Sequence, residues 1–368
     1  MILRYTIFII SFLGVLGIGS YSIYQVYSFT NILGPNGDLI LLLLLIIMPI
    51  IFITTMIIGN KKDYLINNYL YTISCLWLPI LLYLFLGSVI ITILMVFIPV
   101  SNIAFYNFVI NFIIFLSIFL TIYGLINAGI FNIKKVLIPK ENPLNQIWHG
   151  KKIVLVADTH IGMIYKKNFL NKVVNFINKQ NPDLILFAGD LIDGPKFTME
   201  KTLEPLANLS AKLGIYYAPG NHESYSHDDK DLYTILAKYM TVLRDNKVNI
   251  NNTDIVGLSY DAKETIMGLQ NRLIKSNYNK ENPTILIRHT SKDNEFLQKF
   301  GINLTVSGHT HGGQIWPFTI GAKAIFKKYI HGLNIQNNNA SITTTGIGTW
   351  GPPVRIGTKP EIIVITFE

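Results

Sequence analysis

Four runs of apolar residues, about 5–27, 39–58, 71–98 and 103–130, contain no Asp, Glu, Lys, Arg or His. A helix that is apolar on every side has no face to turn toward water, and each run supplies roughly the 20 residues that a hydrocarbon core demands. They read as four transmembrane helices within a membrane region at 1–139. The turn-like Gly34-Pro35-Asn36-Gly37, the charged Lys61-Lys62-Asp63 and the short Pro99-Val100-Ser101-Asn102 separate them. The first run is long for a signal-peptide core, lacks a clear small-residue cleavage site and precedes three more runs, so it reads as an uncleaved helix. Pro79 marks an expected kink in the third.

Arg4 precedes the first run, Lys61 and Lys62 lie between the second and third, and Lys134, Lys135 and Lys140 follow the fourth. Positive charge concentrates on the cytoplasmic side, so the expectation is a multi-pass protein with both termini, and everything after the fourth run, cytoplasmic. Proton relays and ion paths require intramembrane ionisable groups, which the runs lack; this argues against a transporter. Asn107 and Asn111 suit polar contacts between packed helices, and a groove for a lipid tail stays open. The net charge of +9 is spread through the second half without a dominant stripe, so no specific nucleic-acid partner is expected. Anionic lipid or a phosphorylated substrate accounts for it more simply. The single cysteine, Cys75, forms neither an intrachain disulfide nor a thiolate metal site.

Residues 140–150 have two prolines and few apolar residues, as a linker would; 151–368 are long enough to bury their own core. There, short apolar runs each end in polar chemistry. Residues 153–157 lead to Asp158-Thr159-His160, 184–188 to Gly189-Asp190-Leu191-Ile192-Asp193, and 215–218 to Pro219-Gly220-Asn221-His222-Glu223. Residues 284–287 lead to Arg288-His289, and 303–306 to Ser307-Gly308-His309-Thr310-His311-Gly312-Gly313-Gln314. Such runs predict buried strands, and the spacing over 168–179 predicts a helix between the first two. Residues 341–345 and 362–367 predict closing strands. Ligands of open α/β sheets gather beyond the carboxyl ends of strands, so these clusters can converge. Five of the eight histidines lie in them.

Asp, His and Asn without thiolate form a donor set suited to Mn, Fe, Zn or Co. The ordered series D-x-H, G-D-x-x-D, G-N-H-E, a strand-end His and G-H-T-H-G-G-Q resembles the calcineurin-like metallophosphoesterase family, in its membrane-attached bacterial form. The resemblance implies a β-sandwich flanked by helices, in α-β-β-α layers, behind the four-helix membrane region. It implies two divalent metal ions (Mn, Fe, Zn or similar). One would be held by Asp158, His160, Asp190 and His311, and the other by Asp190, Asn221, His289 and His309. A metal-bridging hydroxide would attack phosphorus, and His222 would be the catalytic histidine that stabilises the phosphoryl oxygens and protonates the leaving group. Thr290-Ser291 follows His289 where the family commonly has a proline two residues on.

Blander readings stand beside these. Singly, Asp158 and Asp190 also suit helix caps, and Asn221 a turn. Asp193 reads as orienting a ligand rather than binding metal. His227, Asp228, Asp229 and Asp231 read as a solvated loop, and His149 and His331 as structural or exposed. Arg355 suits either a substrate phosphate or a surface ion pair. The expected function is hydrolysis of a phosphate mono- or diester, with membrane lipid as partner and a lipid-linked phosphate or pyrophosphate as substrate. A soluble nucleotide is the alternative enzymatic substrate, and a non-catalytic membrane scaffold the alternative class.

Overall fold

The structure, a computed structural model, describes residues 2–29, 33–59, 63–193, 199–225 and 229–368. Lys61, Lys62, His227 and Asp228 lie outside the described residues. The chain forms two compact units: Met1–Ile126 with Gly351–Val354, and Asn127–Trp350 with Arg355–Glu368.

The first unit is helical: α1 (Ile2–Phe29), α2 (Gly34–Gly59), α3 (Leu65–Phe97) and α4 (Ile103–Ala128). Its interior is mostly apolar, with Ile23, Tyr27, Leu45, Leu84, Ile91, Tyr106 and Ile110 buried together and Asn67, Ser74 and Ser88 buried as well. Its exterior is apolar as well: Ile90, Ile93, Phe112 and Phe115 are all exposed, a surface that lipid and not water would cover. Among the described residues three helices, α2, α3 and α4, are long and apolar enough to cross a membrane, where the sequence predicts four spans. Helix α1 is continuous over Ile2–Phe29, but side chains at 2–13 are outside what the structure describes. Helix α3 runs through Pro79 as one element.

The second unit is built on two six-stranded sheets. The first contains β1 (Asn132–Ile138), β2 (Ile153–Val156), β4 (Leu184–Ala188), β6 (Ile215–Ala218), β7 (Thr241–Val242) and β14 (Glu361–Phe367), in the order β1-β14-β2-β4-β6-β7. The second contains β8 (Asn246–Ile250), β9 (Thr253–Leu258), β10 (Thr284–Arg288), β11 (Leu304–Ser307), β12 (Gly332–Gln336) and β13 (Asn339–Thr343), in the order β12-β13-β11-β10-β9-β8. A short pair, β3 (Ile161–Gly162) with β5 (Ile192–Asp193), lies beyond the ends of β2 and β4. Most neighbours are parallel; β14 with β2, β12 with β13 and β8 with β9 run antiparallel.

Alternation along the strands sets the layers. Ile153, Leu155, Leu184 and Leu186 of the first sheet share a core with Ile285, Ile287, Leu304 and Val306 of the second. The opposite face of the first sheet, through Val154, Val156, Ile185 and Phe187, meets Leu170, Val173, Val174 and Ile177 of α6 (Lys167–Asn178). Leu286 and Val256 of the second sheet meet Leu269 and Leu273 of α10 (Ile266–Lys275). Helix, sheet, sheet and helix therefore stack as four layers around apolar interfaces. Residues 140–150 do not behave as a free linker: Asn145–Trp148 is a helical turn, and Leu144 and Trp148 are fully buried in the core that the two sheets share. Ahead of them β1 already pairs with β14 along its whole length.

Candidate metal centre

The parallel strands β2, β4, β6, β10 and β11 end on the same side, and each delivers its polar cluster there. Asp158 and His160 follow β2, Asp190 follows β4, Asn221 and His222 begin the short helix Asn221–Tyr225 after β6, His289 follows β10, and His309 and His311 follow β11. Asp158, His160, Asp190, His309 and His311 all take positive φ, between 47° and 73°. This left-handed region is uncommon for residues other than glycine and concentrates at functional sites.

Two donor groups converge there, Asp158, His160 and His311, and Asp190, His289 and His309, beside a third made of His160, Asp193 and His222. Within each group one ligand atom per residue lies within 4.8 Å of the others. His160 Nε2 and His311 Nε2 stand 3.1 Å apart, with Asp158 Oδ1 3.7 Å from His311 Nε2. His309 Nδ1 and His289 Nε2 are likewise 3.1 Å apart, and Asp190 Oδ2 lies 3.0 Å from His289 Nε2. Asp190 Oδ2 is also 4.0 Å from His160 Nε2, so this one carboxylate faces both groups. Asn221 is buried at the same end of the sheet, and its neighbour His222 donates its backbone N–H to Asp190 Oδ1 at 2.9 Å.

These spacings suit cations. Ligands about 2.1 Å from one ion stand roughly 3.0–3.4 Å apart, whereas ring nitrogens facing each other without a cation need a proton between them. His289 shows the donor logic most clearly. Its Nδ1 lies 2.8 Å from the Ala188 carbonyl, which can only accept, so Nδ1 carries the hydrogen and Nε2 points its remaining capacity at Asp190 and His309. Burial lowers His160 to about 4 and His309 to about 3, and it holds His311 well below its ordinary value, keeping all three as neutral ligands. Burial also disfavours charge on His289, but the adjacent Asp190 carboxylate outweighs it and raises His289 to about 9. Burial pushes Asp158 up, while for Asp190 the opposing pull of His289, His222 and His160 prevails over burial and holds it well below the usual carboxylate range. The side chains present fit metal ions of the N/O-binding type.

The surroundings fix this geometry. Glu223, fully buried, accepts N–H bonds from Asp190 at 3.0 Å, Ile192 at 3.0 Å and Gly220 at 2.7 Å, tying the end of β4 to the end of β6. A Cβ at Gly220 would lie 2.1 Å from Asp190 Oδ1, so only glycine lets the two loops close. Asp158 accepts the His309 N–H at 3.1 and 3.0 Å. Asp193 Oδ1 is 3.1 Å from His222 Nδ1, and its Oδ2 is 3.7 Å from His160 Nδ1, so it bridges the candidate acid and a candidate ligand. Burial opposes charge on His222, yet Asp193 and then Asp190 raise it to about 9.

Arg355 departs from both sequence readings. It is entirely buried, touching neither solvent nor a surface acid, and its guanidinium donates to the carbonyls of Thr345 at 2.7 Å, Gly346 at 3.1 Å and Gly348 at 2.5 Å. The same group lies 3.3 Å from His311 Nδ1. A strongly polar side chain after Pro352-Pro353 carries no sequence signal of burial. Tyr260, which sequence reasoning also missed, has its ring 5.8 Å from that of His309 and 6.2 Å from that of His289. His149 lies outside the centre, against the Glu368 carbonyl.

Residues 151–313 match the family model for calcineurin-like phosphoesterases. An uncharacterized metallophosphoesterase of Bacillus subtilis, YkuE, is 31% identical over 263 residues, covering 66% of this chain and 86% of that protein. The chain belongs to the calcineurin-like phosphoesterase family. An uncharacterized metallophosphoesterase of Helicobacter pylori is 34% identical over 232 residues, 61% of this chain and 62% of its own. A Danio rerio protein described as a transmembrane protein with metallophosphoesterase domain is 29% identical over 265 residues, 68% of this chain and 60% of its own. The chain thus matches about three-fifths of the length of these last two relatives.

Proposed function

We propose that this chain is a membrane-anchored, binuclear-metal phosphoesterase that hydrolyses a phosphate mono- or diester, with a lipid-linked phosphate or pyrophosphate as the substrate class. The observation that carries the reading is the pair of donor groups meeting at Asp190. Asp158, His160, Asp190 and His311 would hold one divalent ion, and Asp190, Asn221, His289 and His309 the other. Bound there, such ions supply Lewis acidity toward phosphoryl oxygens and make a water acidic enough to act as nucleophile near neutral pH.

The chain's own residues supply the rest. One carboxylate, Asp190, facing both groups offsets the repulsion of neighbouring dications. His222, its Nδ1 3.1 Å from Asp193 Oδ1, faces the centre with Nε2 3.9 Å from Asp190 Oδ2 and, when protonated, can give its proton to a departing oxygen. Asp193 fixes the ring so that this proton sits on the side of the reacting group. Anchorage rests on the three membrane-length helices and on the transmembrane description of the Danio rerio relative; the distribution of lysines favours a cytoplasmic catalytic unit.

Purified full-length protein supplied with Mn²⁺ and offered aryl phosphate, aryl phosphodiester, pyrophosphate and lipid-linked esters tests this. Hydrolysis of at least one class, lost in Asp190→Asn, is expected. Intact, metal-loaded protein that leaves every class untouched overturns it.

A further inference from the structure

Helix α11 (Phe318–Phe326) follows the G-H-T-H-G-G-Q cluster, and none of its residues is buried. Its sequence is mostly apolar, yet Phe318, Ile320 and Ile325 face outward, the last at 73% exposure. Trp316 just before the helix and Trp350 on the loop before Arg355 are exposed as well. Single exposed apolar residues need no explanation, but a helix without one fully buried side chain, flanked by two exposed tryptophans, forms a surface that water does not stabilise. Its charge has one sign. Lys323, Lys327 and Lys328 are exposed beside it, and residues 296–360 contain no Asp or Glu.

This surface borders the metal centre. The ring of Phe326, the last residue of α11, is 6.1 Å from the ring of His309. The ring of Trp350 is 6.4 Å from that of His222. The centre is thus flanked by apolar side chains at a candidate ligand and at the candidate acid.

We infer that α11 with Trp316 and Trp350 docks on a lipid bilayer, so that the phosphate ester hydrolysed is one carried at the membrane surface. The inference rests on the phosphoesterase reading and names the source of its substrate. Three features favour lipid as the occupant. Aromatic and aliphatic side chains on an exposed short helix beside lysines are the composition of interfacial helices. Tryptophan settles at headgroup depth, and the lysines complement anionic lipid phosphates. Only residues 129–131 separate α4 from β1, so covalent continuity with a membrane-length helix supplies the bilayer.

Full-length protein carrying Cys75→Ser and one nitroxide, at Ile320→Cys or at Ile325→Cys, is placed in nanodiscs of phosphatidylcholine and phosphatidylglycerol. Exposed Lys280→Cys serves as reference. Collision with oxygen should exceed collision with a water-soluble nickel chelate severalfold at 320 and 325, and the order should reverse at 280. Labels at 320 and 325 that behave like 280, or that are shielded from both reagents as a second copy or another protein would shield them, overturn the inference. Independently, Ile320→Ser with Ile325→Ser should slow hydrolysis of phosphatidyl-p-nitrophenol in vesicles about tenfold, while soluble bis(p-nitrophenyl) phosphate turns over unchanged. An equal rate on the vesicle ester contradicts docking. Wild-type protein inactive on these two diesters and also on aryl phosphate, pyrophosphate and the lipid-linked esters contradicts the phosphoesterase reading instead, and the nitroxides still decide whether α11 meets lipid.

Discussion

Glu223 accepts three backbone N–H groups with two oxygens and stands in none of the candidate donor groups. A glutamine there has one acceptor oxygen and an amide that turns its own hydrogens toward the donors. Glu223→Gln therefore leaves at least one buried N–H unbonded, at about 1–3 kcal/mol. A fall in melting temperature of roughly 2–4 °C per kcal/mol should follow in a thermal scan of the catalytic unit; an unchanged midpoint would count against the clamp. Asp190 and His222 divide differently. Asp190→Asn should lose metal and activity together, because the shared negative charge disappears. His222→Ala should keep its metal and turn over about 10²- to 10⁴-fold more slowly, and metal analysis showing a depleted His222 variant would contradict that division. The donor residues were legible in the sequence because metal chemistry restricts them to a few residue types at strand ends. Glu223 stood in the same G-N-H-E cluster, but its role depends on backbone atoms of a different loop, Asp190 and Ile192, which spacing along the chain does not reveal.

Elements show the same boundary between local and tertiary information. The strands β2, β4, β6, β10, β11 and β14 were legible as short apolar runs, and α6 as helical spacing. Strand β9 was not, because Asp254 interrupts its apolar pattern. That carboxylate is buried yet bonded by Lys247 Nζ at 2.7 Å, Asn249 Nδ2 at 2.7 Å and the Asn279 N–H at 2.8 Å, partners that only the fold assembles. Strand β1 was hidden too: Lys134 and Lys135 read as the flank of a membrane span, whereas the structure places them on an edge strand paired with β14. The loop 344–348 depends on Arg355, whose planar fork meets several carbonyls at once. Lysine offers a single point of donation on a flexible stem. Arg355→Lys should leave buried carbonyls unsatisfied at about 1–3 kcal/mol, and by loosening the ground behind His311 it should weaken metal affinity about 10–100-fold. Thermal scans and metal titration read the two effects separately; a variant normal in both would remove Arg355 from the support of the centre.

For the whole molecule, the composition break separates an apolar part from a mixed one, and the structure forms two compact units. Composition placed the change near residue 139, and the strand pairing of Asn132–Ile138 brings it to the end of α4. Linkage ties metal to the stability of the catalytic unit: an ion present at 100 times its dissociation constant stabilises the folded state by about 2.7 kcal/mol. Chelation should accordingly lower the melting temperature of the catalytic unit, and re-addition of Mn²⁺ should restore it; a chelator-insensitive midpoint would argue that no ion is held there. The most direct test is metal stoichiometry in detergent-purified, full-length protein titrated with Mn²⁺, with Asp190→Asn measured alongside. Two ions per wild-type chain, with both positions depleted in the variant, is the predicted result; a single ion or none in the wild type, or two retained without Asp190, would contradict a binuclear centre bridged by that carboxylate.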